Sequence, residues 1–136
     1  MALTGEQRAF LEAKRFAVLG TVNASGSPHL TIMWYLLDGD DIVFNTKVGR
    51  TKETNLDRDP RVSLLVYDET GYKYMRIDGR VRRIDDAQVG QADIRRLGLR
   101  YYDGDEARVE RAVARWSKEA RVTYRLPTTR VYDYRD

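Results

Sequence analysis

The stretch FNTKVGRTKETNLDRDPRVSL, residues 44–64, carries the chain from one apolar run, through a basic turn, into another apolar run. The first run, residues 42–46, predicts a strand. Residues 50–58 are typical of a short helix, which Asp59-Pro60 ends because the residue before a proline avoids the helical region. Residues 61–67 again predict a strand. The stretch therefore predicts a strand, a short helix and a second strand, with a cationic turn before the helix.

Similar strand patterns lie on both sides of this stretch. Turn-forming segments separate them, and Asp85-Asp86 can cap a helix that runs to about Tyr101, with a further amphipathic helix after it. Six strands are predicted, at residues 16–22, 28–37, 42–46, 61–67, 72–84 and 121–135. No linker divides the chain. We therefore predict one domain over residues 1–136, mainly β with short helices (α+β), in which six antiparallel strands form a closed or nearly closed barrel.

The second predicted strand, residues 28–37, is apolar on both faces. Leu30, Ile32 and Trp34 alternate along it with Met33 and Tyr35. One face can fill the barrel, whereas the other needs cover from a helix or from a second subunit. Because the chain has few helices, we predict a homodimer with this strand in its two-fold interface.

The composition restricts the class of protein. A chain of 136 residues with 42% hydrophobic and 33% charged residues is typical of a globular domain, and the absence of cysteine excludes disulfides and thiolate metal sites. No apolar run approaches the roughly 20 residues that cross a bilayer, and the N-terminal segment lacks the apolar centre of a signal peptide. These features predict a cytoplasmic protein with no membrane partner. A net charge of +3, with both signs interspersed, favours a small anionic ligand over nucleic acid.

The usual catalytic and metal-binding motifs are absent from the sequence. It has no glycine-rich phosphate-binding loop of the Rossmann or Walker type and no paired histidines for a metal. The one histidine, His29, stands at the start of a strand beside Pro28 and is interpreted as a rim residue. The sequence therefore assigns no metal ligand and no catalytic residue.

The basic turn offers a place for an anion. The first N–H groups of a helix lack partners within it, and the helix dipole places partial positive charge there, so a phosphate can bind. Gly49 allows the backbone to approach a ligand closely. The side chains that can add hydroxyl groups or charge are Thr46, Lys47, Arg50, Thr51 and Lys52. The alternative is that Thr51 caps the helix and the cations are solvated, and the local sequence leaves both interpretations open.

The order of these features resembles a known superfamily. Residues 18–46 (VLGTVNASGSPHLTIMWYLLDGDDIVFNT), 49–67 (GRTKETNLDRDPRVSLLVY) and a long strand that ends in GRVRRI are similar to the flavin-type split-barrel superfamily. This superfamily includes the pyridoxamine 5′-phosphate oxidases and the deazaflavin-dependent reductases. The most specific part is F-x-T, the basic cluster, and N-L-x-x-D-P-R-V-S-L. The resemblance covers residues 16–84 and implies the FMN-binding split-barrel fold, with two cofactor clefts at a homodimer interface.

The resemblance also implies cofactor-binding residues. Those implied to lie beside the ring are Leu30, Thr31, Ile32, Met33, Trp34 and Tyr35. Those implied to contact the chain of the cofactor and its phosphate are Asn45, Thr46, Arg50, Thr51 and Lys52, with Lys47 beside them. By this resemblance Arg50, Thr51 and Lys52, here called the clamp, correspond to the Ser-Arg-Lys phosphate clamp of the family. They depart from that pattern, because the cation stands one place earlier and a threonine occupies the middle. Trp34 is interpreted as a barrel-core aromatic, with contact to the ring as the alternative.

The compact length resembles the members that depend on coenzyme F-420, a flavin-like ring on a ribityl-phosphate chain with a lactyl-oligoglutamate tail. The resemblance implies a reductase that transfers hydride from the reduced deazaflavin to a small electron-poor organic acceptor. Water or a tyrosine such as Tyr35 or Tyr72 would supply the proton. Two alternatives remain: an FMN-dependent oxidoreductase on the same scaffold, and a non-enzymatic protein that binds flavin or haem.

Overall fold

The computed structural model describes residues 3–135, and within them the chain forms four helices and nine strands. The helices are α1 (Gly5–Glu12), α2 (Thr51–Arg58), α3 (Ala87–Tyr101) and α4 (Glu106–Trp116). The strands are β1 (Ala17–Val22), β2 (Pro28–Met33), β3 (Leu36–Asp38), β4 (Asp41–Lys47), β5 (Arg61–Tyr67), β6 (Lys73–Arg80), β7 (Arg82–Ile84), β8 (Arg121–Pro127) and β9 (Val131–Arg135). The Asp86 carboxylate caps α3 as predicted, by accepting from the N–H groups of Gln88 and Val89.

The strands form two antiparallel sheets. The first has the order β2-β1-β5-β6-β9 and the second has the order β3-β4-β8-β7. The prediction of a mainly β, α+β fold is confirmed. The six-stranded closed barrel is not found, because the strands of residues 3–135 divide into two separate sheets and neither closes on itself.

Three of the predicted strands are each two strands in the structure. Each break moves the chain from one sheet to the other, and hydrogen bonds outside the ladders satisfy the backbone there. The Tyr101 hydroxyl accepts from the N–H of Tyr35 at 3.1 Å, between β2 and β3. Val81 N–H donates to the Pro60 carbonyl at 3.0 Å, between β6 and β7. The chain therefore builds nine strands from six apolar runs.

The core lies in two layers on either side of β4. Phe44 and Ile42 face the first sheet and pack in a buried cluster with residues such as Leu64. Val43 points the other way, into a cluster with residues of α3 and α4 such as Leu97 and Trp116. Strand β4 is thus buried on both faces, and it ends in Lys47, where the basic turn begins.

The outer face of the first sheet is exposed in the chain. On β2, Leu30 and Ile32 are 65% and 66% exposed, and Phe16 beside β1 is 49% exposed. The register of the ladders aligns Ile32 with Val18 and then with Leu65, so this apolar surface crosses three strands. The partner predicted for this face stays a prediction. No helix within residues 3–135 combines the length and the apolarity that crossing a membrane requires.

Candidate functional site

The turn between β4 and α2 leaves the beginning of the helix open. Gly49 has a φ of +98°, a left-handed conformation that favours glycine. Arg50 is the N-cap residue, and its own side chain makes no capping hydrogen bond. The alternative in which Thr51 caps α2 is therefore wrong, since Thr51 is the first helical residue. Instead the carboxylate of Glu53 accepts from the N–H of Gly49 at 2.9 Å and holds the turn in place.

A cavity of about 320 Å³, here called the basic cavity, opens beside this turn. Its polar residues at the end of β4 are Asn45 and Thr46. Its apolar and aromatic residues are Ile32, Met33, Trp34, Ile94, Leu97, Tyr102 and Trp116. Its cations are Lys47, Arg50, Lys52, Arg115 and Arg121. The second sheet, the start of α2, the end of β2 and the helical layer thus all contribute to one wall.

A smaller cavity of about 310 Å³ shares Arg50 and Lys52 with the basic cavity. His29, Thr31, Gly49 and Thr51 complete its lining. The two cavities bring together ten of the twelve predicted cofactor-binding residues: Thr31, Ile32, Met33, Trp34, Asn45, Thr46, Lys47, Arg50, Thr51 and Lys52.

The cations of the basic cavity exceed the acidic groups near them. Among the described residues, no carboxylate lines either cavity. Lys47 and Arg121 share the Glu119 carboxylate at 3.7 and 3.0 Å, whereas Arg50 and Lys52 form no ion pair within residues 3–135. Burial lowers the pKa of Lys52, and repulsion from Arg50 and Arg121 lowers it further. A concave surface with such a charge excess favours an anionic ligand.

Arg121, the first residue of β8, is one of two cations of the basic cavity, with Arg115, that were not predicted from the sequence. Its side chain is only 11% exposed, and burial lowers the pKa of its guanidinium although Glu119 opposes that shift. Its Nε donates to Asn45 Oδ1 at 3.0 Å, and its Nη1 donates to Glu119 at 3.0 Å. The β4–β8 ladder pairs Lys47 with Arg121, which brings Arg121 to the basic turn. No local pattern in the sequence predicts the pairing of these two strands.

An aromatic cluster forms the opposite part of the wall. Trp34 stacks on Tyr101 with ring centroids 5.0 Å apart and meets Tyr102 edge-on at 5.3 Å. Trp116 also meets Trp34 edge-on, at 6.2 Å. Trp34 therefore packs with the helical layer and lines the cavity, and the prediction that it fills the core between the sheets is wrong. Tyr102 and Trp116 were not predicted as site residues, because Trp116 belongs to the apolar face of an amphipathic helix and Tyr102 follows the predicted end of another helix.

Two of the predicted ligand-contacting residues lie elsewhere. Leu30 points outward from the first sheet and borders a different, shallow cavity with Gly20 and Ser63. Tyr35 is fully buried, and its hydroxyl donates to the Leu11 carbonyl at 2.8 Å. Burial raises the pKa of the Tyr35 phenol, so this group is a poor candidate for a proton donor. The prediction for Tyr35 was wrong because β2 ends at Met33, and the chain then enters the core before β3 begins.

The sequence matches one family over nearly its whole length. The family model described as pyridoxamine 5′-phosphate oxidase matches residues 3–128. A pyridoxine/pyridoxamine 5′-phosphate oxidase of Aeromonas hydrophila is 34% identical over 73 residues, which is 53% of this chain and 35% of the relative. The match thus spans about a third of that curated relative's length.

Two solved structures resemble nearly the whole chain. The conserved hypothetical protein Rv2991 from Mycobacterium tuberculosis is 28% identical with a TM-score of 0.82, over 99% of this chain and 86% of that protein. A structure described as an F-420 reductase is 25% identical with a TM-score of 0.75, over 96% of this chain and 98% of that one.

Proposed function

The chain belongs to the pyridoxamine 5′-phosphate oxidase family, and on this premise we propose that it is an oxidoreductase that binds coenzyme F-420 in the basic cavity and passes hydride to a small electron-poor organic acceptor. The observation that carries the proposal is the cavity wall, which has five cations and no carboxylate among the described residues that line it. The similarity to an F-420 reductase over nearly the full length of both chains supports the deazaflavin over FMN.

The residues of the wall fit the chemical parts of this coenzyme. Its phosphate and glutamate tail are anionic, and Arg50 and Lys52 supply positive charge that no acidic side chain within residues 3–135 pairs with. Thr46 and Thr51 add hydroxyl donors beside the open end of α2. When bound, the coenzyme supplies the hydride-transfer chemistry.

The protein's part is to hold the coenzyme, exclude water and place a proton. The aromatic cluster of Trp34, Tyr102 and Trp116 keeps one end of the basic cavity apolar, which limits water around a ring system. Tyr102 carries a phenolic hydroxyl in that wall, so it replaces the buried Tyr35 as the proposed proton donor. Under this proposal the orientation of the coenzyme and acceptor accounts for most of the rate, so the site needs no catalytic motif beyond this tyrosine.

Calorimetry of the purified apoprotein against F-420 and FMN, side by side, tests the coenzyme. We expect tight F-420 binding and a colourless protein as isolated. A yellow protein that retains FMN would support the FMN-dependent alternative. Binding without turnover, when the reduced coenzyme is offered with a panel of quinones and enones, would support a binding protein instead.

Lys52→Ala should weaken F-420 binding by about 1–3 kcal/mol, because it removes a charge-assisted contact from the proposed clamp. Lys118→Ala is the matched control, since it removes the same charge from an exposed position after α4 that lines neither cavity. Calorimetric Kd values for both variants make the comparison. An affinity that Lys52→Ala leaves unchanged would remove Lys52 from the clamp.

We also propose that two copies of the chain associate through the outer face of the first sheet. Leu30, Ile32 and Phe16 are exposed there, and the β1–β2 and β1–β5 ladders join them to Val18 and Leu65. A contiguous apolar surface of this kind is typical of a protein interface. Ile32 also lines the basic cavity, so this interface would lie beside the coenzyme.

Leu30→Glu should convert the proposed dimer to a monomer, since a two-fold interface would contain the buried charge twice. We expect the dimer dissociation constant to rise on the order of 100-fold. Sedimentation velocity over a range of concentrations measures it. Val48→Glu is the control, because Val48 is also exposed, at 41%, but lies in the β4–α2 turn. A Leu30→Glu protein that sediments like the parent would place the interface elsewhere.

A further inference from the structure

A buried chain of hydrogen bonds runs from the basic cavity into the interior between β4, β8 and α3. It begins where Arg121 Nε donates to Asn45 Oδ1 at 3.0 Å. Asn45 Nδ2 donates to Thr123 Oγ1 at 3.2 Å and to the Gly90 carbonyl at 2.9 Å. Thr123 Oγ1 donates in turn to Asp93 Oδ2 at 2.8 Å. Asn45, Thr123 and Asp93 are all buried, at 8%, 0% and 5% exposure.

The donor and acceptor roles in this chain are fixed from its inner end. The Asp93 oxygen is the acceptor in this chain, so the Thr123 hydroxyl points its proton inward. The Thr123 oxygen is then available only as an acceptor, and Asn45 must turn its amide nitrogen toward it. The amide oxygen of Asn45 therefore faces outward, where it can accept from Arg121. Gly90 supports the same orientation, because its carbonyl also requires the amide nitrogen.

The side chain of Asn45 has no N–H group free to bind a ligand directly. Both of its N–H groups are engaged within the protein, and its oxygen accepts from Arg121. Arg121 is different, because its described hydrogen bonds use Nε and Nη1, which leaves Nη2 for a ligand in the basic cavity. At the cavity wall, the guanidinium of Arg121 is thus available to bind a ligand, whereas the amide of Asn45 bonds only within the protein.

We propose that Arg121 is a third cation of the anion site, beside Arg50 and Lys52, and that Asn45, Thr123 and Asp93 are positioning residues that act on a phosphate-type oxyanion through Arg121. This inference rests on the proposed function only in using the basic cavity as the binding site. It revises the role expected for Asn45, from contact with the cofactor to orientation of the guanidinium.

The first test needs no ligand. The ¹⁵N–¹H signal of Arg121 Nε, identified by its loss in Arg121→Lys, reports the bond to Asn45. Thr123→Val removes the hydroxyl and Asp93→Ala removes the acceptor of that hydroxyl. Each variant should shift this signal and speed its hydrogen exchange by about tenfold, the effect expected from the loss of one hydrogen bond. Thr123→Ser keeps the hydroxyl and should restore the parent signal. Thr128→Val is the control, because Thr128 is also buried but its hydroxyl donates to the Asp40 carbonyl instead. A signal that none of the inner substitutions moves would overturn the positioning role.

The second test uses inorganic phosphate as the probe and a double-mutant cycle. We expect phosphate to shift the Arg121 signal. Asn45→Ala should raise the apparent Kd for phosphate by about tenfold in the parent protein but by less than about twofold in the Arg121→Gln background. Equal losses in both backgrounds would show that Asn45 touches the anion itself, and a phosphate that leaves Arg121 unmoved would remove Arg121 from the site. F-420 binding is measured separately, so its failure would refute the coenzyme proposal without deciding this one.

Discussion

Gly90→Ala is expected to lower the free energy of unfolding by about 3 kcal/mol, at the upper end of what overpacking usually costs. A β-carbon at this position would lie 2.3 Å from the carbonyl oxygen of Arg121 and 2.9 Å from its carbonyl carbon. Both contacts are with the backbone of β8, which cannot turn aside as a flexible side chain can. Helix α3 would therefore have to move away from the sheet, and chemical denaturation followed by circular dichroism measures the loss.

Gly5→Ala is the matched control for this substitution. Gly5 is also helical, as the first residue of α1, but a β-carbon there meets nothing within 4 Å. Alanine is the better helix former, so this variant should be as stable as the parent or more stable, by up to about 1 kcal/mol. A Gly90→Ala protein with parental stability would show that α3 can dock on β8 in another way. The same variant should also weaken anion binding, since Gly90 and Arg121 belong to one contact.

The sequence predicted the elements of the fold better than their arrangement. Apolar runs bounded by turn signals located every strand region, whether one face or both faces of the strand are buried. The three breaks that send the chain from sheet to sheet have no such signature. At the first, the bond between Tyr35 and the Tyr101 hydroxyl joins residues 66 positions apart. A closed barrel was the simplest arrangement of unbroken runs, and tertiary hydrogen bonds produce the two sheets instead.

For the candidate site, too, the sequence predicted residues that are neighbours in the chain but not residues that only the tertiary structure brings together. Residues around the basic turn were identified because charge, hydroxyl groups and Gly49 stand together in sequence, and all of Lys47, Arg50 and Lys52 reach the cavity. Arg121 and Trp116 come from β8 and α4, and they enter the wall only through strand pairing and helix packing. The sequence therefore predicted three of the five cations of the cavity, but neither Arg115 nor Arg121, nor most of its aromatic wall.

Replacing Arg50 and Lys52 together by glutamine should have the largest effect on ligand binding. These are the two cations at the start of α2 that form no ion pair within residues 3–135, so their charge is available to a bound anion. Losing two charge-assisted contacts should weaken F-420 binding by about 4 kcal/mol, or roughly 1,000-fold in Kd. Arg111→Gln with Lys118→Gln is the control, because it makes the same change in net charge at exposed positions that line neither cavity. Equal losses in the two double variants would mean that only the overall charge matters.

The same double variant should be at least as stable as the parent at pH 7, which separates loss of binding from loss of structure. Burial and the neighbouring cations Arg50 and Arg121 lower the pKa of Lys52 below its ordinary value of 10.5, so the folded protein holds this proton less tightly than the unfolded chain does. Charging Lys52 therefore opposes folding below its folded-state pKa, and the penalty disappears as the pH rises from that pKa toward 10.5. Over this pH range the free energy of unfolding of the parent should therefore rise relative to that of the double variant. Urea denaturation at a series of pH values measures this difference. A double variant that is less stable than the parent at pH 7 would instead mean that the two cations hold the fold together and are not reserved for an anion.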